Sequence, residues 1–373
     1  MLRTLRISGF RGLREFSMSG LGRVNLLVGT NNCGKTSVLE AIHMLSVPGT
    51  PLPLWQAQLR RGELIDATDE PQIDIAHLIF GRKLALGAGF TIKGDGATGQ
   101  QDFVASLVVH ERQEFPSGLQ RQVFDEDEEN GDDIPPAPGL LKSTGLGLTW
   151  AIGSLVRNLG LPITRRGGVR SRSLVTSRDD SGTETQGEVL LITTEGLSRD
   201  RTISMFERIV LTPNEATLLR ALRTIEPEIE RIASIGTYAR QSLRELRGGL
   251  AMMVAGQRIP IGSMGDGIWR LLGIALALVS ARGGVLLIDE IDTGLHYSVL
   301  VDMWRLVLET ARSLDVQVFA TTHSRDCYEA LAVVTEPGRT EISLQRIERG
   351  KVEAVAFTEL EIRQAAERGR EVR

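Results

Sequence analysis

The chain has 373 residues, which is long enough to bury two or so compact units. Its 43 basic and 47 acidic residues give a formal net charge of −4, a balance that does not mark a dedicated nucleic-acid binder. Two cysteines are too few for a disulfide scaffold and fit a reducing cytosol. No apolar run approaches the roughly 18 residues of a membrane span, and the N-terminus lacks a signal-peptide core. We therefore expect a cytoplasmic protein without a membrane partner.

The first segment with recognisable chemistry is Gly29-Thr-Asn-Asn-Cys-Gly-Lys-Thr36, which matches the phosphate-binding loop G-x-x-x-x-G-K-[ST]. An apolar run over 24–28 predicts a buried strand before this loop, and helical spacing over 36–45 predicts a helix after it. Such a loop aims backbone N–H groups and the positive end of a helix dipole at phosphate. Lys35 would reach the β- and γ-phosphates of ATP or GTP, and Thr36 would offer its hydroxyl to Mg²⁺. The predicted nucleotide-binding residues here are Gly29, Asn31, Asn32, Cys33, Gly34, Lys35, Thr36 and Ser37.

The residues after the first helix predict a run of β-strands, at 72–80, 88–93 and 103–109. The composition then shifts to an acidic, proline-bearing stretch over 125–138, which predicts a surface loop.

The middle of the chain is predicted to be mainly helical. Helical spacing predicts helices at 146–159 and 213–232, the second opened by a Thr212-Pro213 cap. One basic cluster could track the phosphates of DNA or RNA, but its lack of aromatic residues favours a solvated loop. The cluster comprises Arg165, Arg166, Arg170, Arg172 and Arg178.

A second Gly-bearing loop, Gly262-Ser263-Met264-Gly265, opens a long apolar helix over 268–279. A loop that opens a helix is a preformed anion site. Because this one cannot serve the chain's own phosphate-binding loop, we expect Ser263 and Gly265 to act on the γ-phosphate held by a partner subunit.

The apolar run 285–288 predicts a buried parallel strand that ends at Asp289-Glu290, where open α/β sheets place their ligands. Asp289 would hold Mg²⁺, and Glu290 would orient and deprotonate the attacking water. Asp292 and His323, the latter at the end of a strand predicted over 316–320, complete the constellation. The chain has no Asn-Lys-x-Asp motif for recognition of the guanine base, which argues against a GTPase. It also lacks the separate C-terminal helical lid expected of a hexameric AAA+ motor.

The order of these motifs resembles the ABC-type ATPase heads of the RecF, SMC and OLD-like families. The opening residues 5–13 and 24–42 match that pattern, and residues 290–296 are similar to a segment of OLD-like ATPases. The resemblance covers roughly the first 110 residues and those from about 205 onward. The usual Leu-Ser-Gly-Gly signature is altered, since Gly262 replaces Leu, Met264 replaces the first Gly, and Asp266 follows. We expect Asp266 to point away from a phosphate or to cap its helix.

The resemblance implies an α/β P-loop NTPase head with an N-terminal antiparallel β layer and an inserted, mainly helical lobe. It divides the chain into an N-terminal half of the head at 1–110, an inserted lobe at 111–245, and a C-terminal half at 246–373. It also implies that two heads sandwich two ATP molecules, with Ser263 and Gly265 touching the γ-phosphate in trans and His323 sensing it in cis. Gln72 is the candidate for the glutamine that couples Mg²⁺ to the second lobe, although it more simply starts a surface strand.

Three functions fit this pattern. The favoured one is an ATP hydrolase that dimerises, or forms a higher oligomer, on ATP in DNA repair or bacterial anti-phage defence. No Asp-x-Asp pair for a TOPRIM nuclease follows His323, so a separately encoded effector such as a nuclease or toxin is expected, and nucleic acid is a possible partner. The alternatives are an ATP-locked scaffold that sequesters such an effector, and the ATPase subunit of an ABC transporter.

Overall fold

The computed structural model describes residues 1–65, 71–97, 99–109, 144–164, 166–171, 187–235, 249–335 and 341–368. The acidic stretch 125–138 and the arginines Arg165, Arg172 and Arg178 of the basic cluster lie outside the described residues.

The strands are β1 Leu2–Phe10, β2 Leu13–Met18, β3 Val24–Val28, β4 Leu64–Ile65, β5 Gln72–Asp74, β6 Gly89–Gly96, β7 Gly99–Val109, β8 Thr144–Ile152, β9 Leu155–Pro162, β10 Gly168–Arg170, β11 Val189–Ile192, β12 Ile229–Ser234, β13 Leu250–Val254, β14 Gln257–Pro260, β15 Val285–Ile288, β16 Gln317–Thr321, β17 Ile342–Arg346 and β18 Val355–Phe357. The helices are α1 Lys35–Ser46, α2 Leu52–Arg61, α3 Arg199–Ile209, α4 Pro213–Arg223, α5 Asp266–Ser280, α6 Leu300–Ser313, α7 Arg325–Val334 and α8 Glu359–Glu367.

The central sheet has the strand order β11-β15-β16-β3-β17-β18, with parallel pairing throughout except for the antiparallel β18. Both faces of this sheet are covered, because Leu26 and Leu286 enter one hydrophobic core while Leu27 and Leu287 enter the other. Strands buried on both faces appear in sequence as continuous apolar runs, as β3 and β15 do. Strand β16 lies between them, so the three carboxyl ends meet at one edge of the sheet.

A second sheet is antiparallel and has the order β2-β1-β6-β7-β8-β9. Its inner face shares a core with α1, so this helix lies between the two sheets. The predicted α/β architecture with an antiparallel β layer is therefore confirmed. The other core packs the opposite face of the central sheet against α5, α6 and α7.

The helix predicted over 146–159 is wrong, because these residues form the hairpin of β8 and β9 at the edge of the antiparallel sheet. Leu146, Leu148 and Trp150 alternate toward the core, which is the period of a strand rather than of a helix. The chain turns at Gly153, whose φ of 55° suits a residue without Cβ.

The helix predicted over 213–232 begins as expected but ends early. The Thr212 hydroxyl accepts a hydrogen bond from the Asn214 N–H, and Pro213 occupies the first turn. The helix stops at Arg223 and the chain continues into β12. The described residues of the middle segment thus contain more strand than helix, contrary to the mainly helical lobe that was predicted, and β11 joins the central sheet beside β15. The three-part division of the chain stays a prediction.

The predicted strand at 72–80 is much shorter in the structure. It covers Gln72–Asp74 in a small separate sheet and continues as a 3₁₀ turn over Ile75–Leu78. At the C-terminal end of the described chain, β17 and β18 form an antiparallel pair, and α8 follows them. Within the described residues, no helix is both long enough and apolar enough to cross a bilayer.

Candidate functional site

The loop between β3 and α1 has the conformation that a phosphate-binding loop requires. Gly29 has a φ of 148°, and a Cβ added there would lie 2.3 Å from the Ile347 carbonyl oxygen. Gly34 has a φ of 111° and occupies the N-cap position of α1, where no described side chain caps the helix. The first N–H groups of α1 therefore remain available to an anion.

Lys35 lies under this loop with its ammonium directed at backbone oxygens. Its Nζ donates to the carbonyl oxygens of Gly29 at 2.7 Å and Thr30 at 2.9 Å. Burial lowers the pKa of Lys35 below its ordinary value, against the opposing attraction of Cys33, Asp289 and Glu290. A triphosphate would supply the counter-charge that this desolvated ammonium lacks.

Asp289 lies just past the end of β15, which β16 separates from β3, the strand before the phosphate-binding loop. The Thr36 hydroxyl approaches its carboxylate at 3.1 Å and 3.3 Å, and the Thr321 hydroxyl donates to it at 2.7 Å. A carboxylate and a hydroxyl are hard oxygen donors of the kind that Mg²⁺ prefers. Within the described part of the chain, no three His, Cys, Asp or Glu side chains group to hold a metal, so phosphate oxygens would have to complete such a site.

Glu290 and His323 are in direct contact beside Asp289. His323 Nε2 lies 2.8 Å from Glu290 Oε1, and His323 Nδ1 lies 3.2 Å from Lys35 Nζ. An ammonium can only donate, so Nδ1 accepts and the Nε2–H donates to the Glu290 carboxylate. The Thr293 hydroxyl lies 3.3 Å from the other carboxylate oxygen of Glu290. The contacts therefore run from the phosphate-binding loop through His323 to Glu290.

These residues surround a cavity of about 460 Å³. Its lining is formed by Asn31, Asn32, Cys33, Gly34, Lys35, Thr36, Ser37, Arg61, Asp289, Glu290 and His323. A larger cavity of about 1080 Å³ adjoins it and shares Asn32, Cys33, Gly34, Ser37 and Arg61. Ligand cavities of several hundred Å³ are typical for nucleotide-sized molecules.

The predicted residues Ser263, Gly265 and Asp292 are not among the described residues that line either cavity. Ser263 lies in a 3₁₀ turn over Ile261–Met264, and Gly265 is the N-cap residue of α5 with a φ of 88°. Asp266 is the first residue of α5 rather than its cap, where a carboxylate interacts favourably with the helix dipole. Asp292 accepts a hydrogen bond of 2.6 Å from the Thr322 hydroxyl. Gln72 also lies outside the cavities and accepts a hydrogen bond from Thr164.

Two arginines at the site escaped the sequence analysis. Arg61, at the end of α2, lines the cavity and donates to Glu40 of α1 at 3.0 Å. Arg270, in α5, donates to backbone carbonyls at the end of β15. Neither belongs to a recognisable motif, and no local pattern connects them to partners so distant along the chain.

Two family models match separate parts of the chain. Residues 1–94 match a family described as AAA ATPase domain. Residues 218–326 match a family described as AAA domain, putative AbiEii toxin, Type IV TA system. Together these matches include every predicted site residue, from Gly29 to His323.

The curated relatives include short matches of high identity and a long match of low identity. An uncharacterized protein of Methanocaldococcus jannaschii is 45% identical over 42 residues, 11% of this chain and 19% of that protein. The RecF DNA replication and repair protein of Pseudomonas entomophila is 46% identical over 46 residues, 12% of each chain. An ATP/GTP phosphatase of Helicobacter pylori is 20% identical over 363 residues, 89% of this chain and 87% of that protein. This chain thus spans less than a fifth of the first of these relatives, and 12% of RecF.

Among solved structures, an SMC head domain from Thermotoga maritima aligns with a TM-score of 0.48 and 14% identity, covering 96% of this chain and 98% of that chain. The fold assignment rests on the strand order, the loop after β3 and the two family matches. These observations support an α/β P-loop ATPase fold, with residues 1–94 and 218–326 similar to ATPase domains of the AAA type.

Proposed function

We propose that this protein binds ATP with Mg²⁺ and hydrolyses it. The observation that carries the proposal is the line of contacts from Lys35 through His323 to Glu290, beside the Thr36–Asp289 pair. If Asp289-Glu290 were only an acidic turn after a strand, there would be no reason for a buried lysine, a histidine and a carboxylate to meet at one cavity. The described site therefore supports turnover in addition to binding.

Each residue has a distinct task in this proposal. The α1 N-terminus and Lys35 bind the phosphates, and Thr36 and Asp289 would hold Mg²⁺, which neutralises charge on the triphosphate. Glu290 orients the attacking water and accepts its proton. His323 sits between Lys35 and Glu290, so it is placed to sense the γ-phosphate and to keep the carboxylate in position.

The second part of the proposal is that two chains close on ATP. Ser263 and Gly265 precede the N-terminus of α5, which is an anion site outside the two cavities that the phosphate-binding loop lines. A second subunit facing the phosphate-binding loop would bring its Ser263 loop to the γ-phosphate. This arrangement explains why a chain would carry two separate phosphate sites.

Substitution of the proposed base tests hydrolysis directly. Glu290→Gln should bind ATP, accumulate an ATP-bound oligomer and reduce phosphate release by about 10²-fold or more, because the amide cannot accept a proton. Lys35→Ala should lose nucleotide binding altogether. Glu329→Gln, on the exposed face of α7, is the matched control and should behave as wild type. Wild-type phosphate release by Glu290→Gln would discard the catalytic assignment.

The biological setting that we propose is defence or DNA repair with a separate effector. The family description of residues 218–326 refers to a putative toxin of a toxin–antitoxin system, and a 46-residue segment of the chain is 46% identical to RecF of Pseudomonas entomophila. A nuclease or toxin encoded beside this chain is the effector we would seek by co-purification with and without ATP. An ATP-locked scaffold would bind the same effector but show little turnover. A transporter subunit would instead co-purify with a membrane permease.

Nucleic acid is a second candidate partner, for one specific reason. The larger cavity is lined by four exposed cations that make no ion pair with any described residue, together with Phe80, which is 43% exposed. These cations are Arg14, Arg82, Arg349 and Lys351. Unpaired cations beside an exposed aromatic ring are typical of single-strand binding sites. Arg82→Ala/Arg349→Ala should weaken binding of a labelled single-stranded oligonucleotide in fluorescence anisotropy, and equal affinity for wild type and variant would remove this candidate.

A further inference from the structure

Arg270 makes an unusual set of contacts in the second turn of α5. It is 8% exposed, and its guanidinium bonds three backbone carbonyl oxygens. Nη1 donates to Thr193 at 2.9 Å, and Nη2 donates to Asp289 at 3.2 Å and to Glu290 at 3.0 Å. These carbonyls lie just beyond the carboxyl ends of β11 and β15, so one side chain holds the ends of two neighbouring strands.

A buried cation in this place is costly for the fold. Burial lowers the pKa of Arg270, although the negative charges of Asp292, Asp289 and Glu290 act in the opposite direction. Its Nε has no hydrogen-bond partner among the described residues. A side chain that only supported packing would not need a charge here, and an apolar residue would avoid the desolvation. The guanidinium therefore points to a task at the end of β15.

The backbone of Glu290 shows what that task is. Glu290 has a φ of 48°, in the left-handed region that is unfavourable for a residue with a Cβ. Its N–H donates to the Thr321 hydroxyl at 2.8 Å, and its carbonyl accepts from Arg270 at 3.0 Å. The peptide groups on both sides of the Glu290 Cα are thus fixed, and this geometry directs the side chain toward His323. Strained backbone persists where surrounding contacts over-determine it, and it clusters at functional sites.

We propose that Arg270 is a positioning residue that holds Glu290 in its left-handed conformation and so sets the place of the catalytic carboxylate. The proposal rests on the proposed function, since it gives Glu290 the role of the base. Arg270 makes no hydrogen bond to the phosphate-binding loop and does not itself line the nucleotide cavity, and its hydrogen bonds to Asp289 and Glu290 go to backbone carbonyl oxygens rather than to their side chains. Its loss should therefore affect the chemical step and leave nucleotide binding intact.

Steady-state phosphate release and ATP affinity, measured on the full chain, separate these two effects. Arg270→Gln should lower kcat by about 10- to 100-fold, because a displacement of about 1 Å at a catalytic group can cost that much. Arg270→Lys should fall between Arg270→Gln and wild type, because one ammonium can keep some of the carbonyl contacts. The Kd for ATP should stay within about threefold of wild type in both variants.

The matched control is Arg223, which also donates to two backbone carbonyl oxygens, those of Ile229 at 2.7 Å and Glu230 at 3.2 Å, and lines neither cavity. Arg223→Gln should keep both kcat and ATP affinity. Unchanged kcat in Arg270→Gln would overturn the proposal. Equal losses of kcat, ATP affinity and thermal stability in both Arg270 variants would also overturn it, since that pattern describes a purely structural residue. Retention of hydrolysis by Glu290→Gln would contradict the proposed function itself, independently of the results for the Arg270 variants.

Discussion

Single residues behind the phosphate-binding loop carry an unusual concentration of charge. Glu40, in α1, has a side chain that is 1% exposed, and three arginines surround its carboxylate. Arg11 Nε lies at 2.8 Å, Arg61 Nε at 3.0 Å and Arg60 Nη2 at 3.5 Å. Burial alone would lower the pKa of Arg61, but the charge and hydrogen bond of Glu40, with Glu63 and Asp289 beyond it, raise that pKa. The network thus keeps a cation at the wall of the nucleotide cavity.

Glu40→Ala should lower the free energy of unfolding by about 3–5 kcal/mol, because it leaves buried guanidinium groups without their shared counter-ion. Glu329→Ala provides the comparison, since its ion pair with Arg325 lies on the surface of α7 and should contribute only about 0–1 kcal/mol. Urea denaturation of both variants measures the difference. Similar losses in the two variants would mean that the buried network adds nothing to stability beyond an ordinary surface pair.

Among single residues, the sequence predicted those that belong to a short motif of consecutive positions. Gly34, Lys35 and Thr36 follow one another in a loop whose spacing is itself the signal, and the structure places them around one cavity with Asp289, Glu290 and His323. Arg270 was missed because its partners are 19 to 77 residues away and are backbone atoms, which carry no sequence signature. Thr321 was not singled out from the sequence, because its hydrogen bonds to Asp289 and Glu290 join residues more than 30 positions apart.

At the scale of elements, the prediction succeeded for strands buried on both faces and failed for the hairpin of β8 and β9. In β8 the apolar residues Leu146, Leu148 and Trp150 occupy every second position, and this two-residue spacing was mistaken for helical spacing. Pairing with β7, more than 30 residues earlier in the chain, decides the conformation, since a strand gains its stability from partners that local spacing does not reveal. The correct assignment extends the antiparallel layer that covers α1.

Trp150 is the residue through which this hairpin holds α1. It is 2% exposed, its ring centroid lies 4.9 Å from that of Phe103, and its Nε1–H donates to the Met44 carbonyl oxygen at 3.1 Å. Trp150→Ala should reduce the free energy of unfolding by about 3–5 kcal/mol through the cavity and the lost hydrogen bond. Val156→Ala, at a β9 site that is 56% exposed, should change it by less than about 0.5 kcal/mol. Chemical denaturation that gave the two variants equal stability would contradict this account of the hairpin.

At the scale of the whole molecule, the open question is whether one subunit completes another's site. The cavity around Lys35 contains a proposed base and a proposed metal site, but the Ser263 loop does not line it in the described residues. If the Ser263 loop acts in trans, a substitution near Lys35 and a substitution in the Ser263 loop of the same chain damage two different composite sites. Substitutions of Lys35 and Glu290 both disable the side of a site that contains the phosphate-binding loop. A mixed dimer with one of these substitutions in each chain therefore has no intact site.

Mixing variants distinguishes these cases. Lys35→Ala chains lack a working phosphate loop, and Ser263→Arg chains lack a working trans loop, so each variant alone should be inactive. In a mixed dimer, the intact phosphate loop of the second chain faces the intact Ser263 loop of the first, which restores one site. Random mixing in equal amounts should therefore recover about a quarter of wild-type phosphate release. Lys35→Ala mixed with Glu290→Gln should recover nothing, because both lesions act in cis. Equal, negligible activity in the two mixtures would mean that Ser263 serves no partner subunit's nucleotide, and each chain would then have to complete its own site.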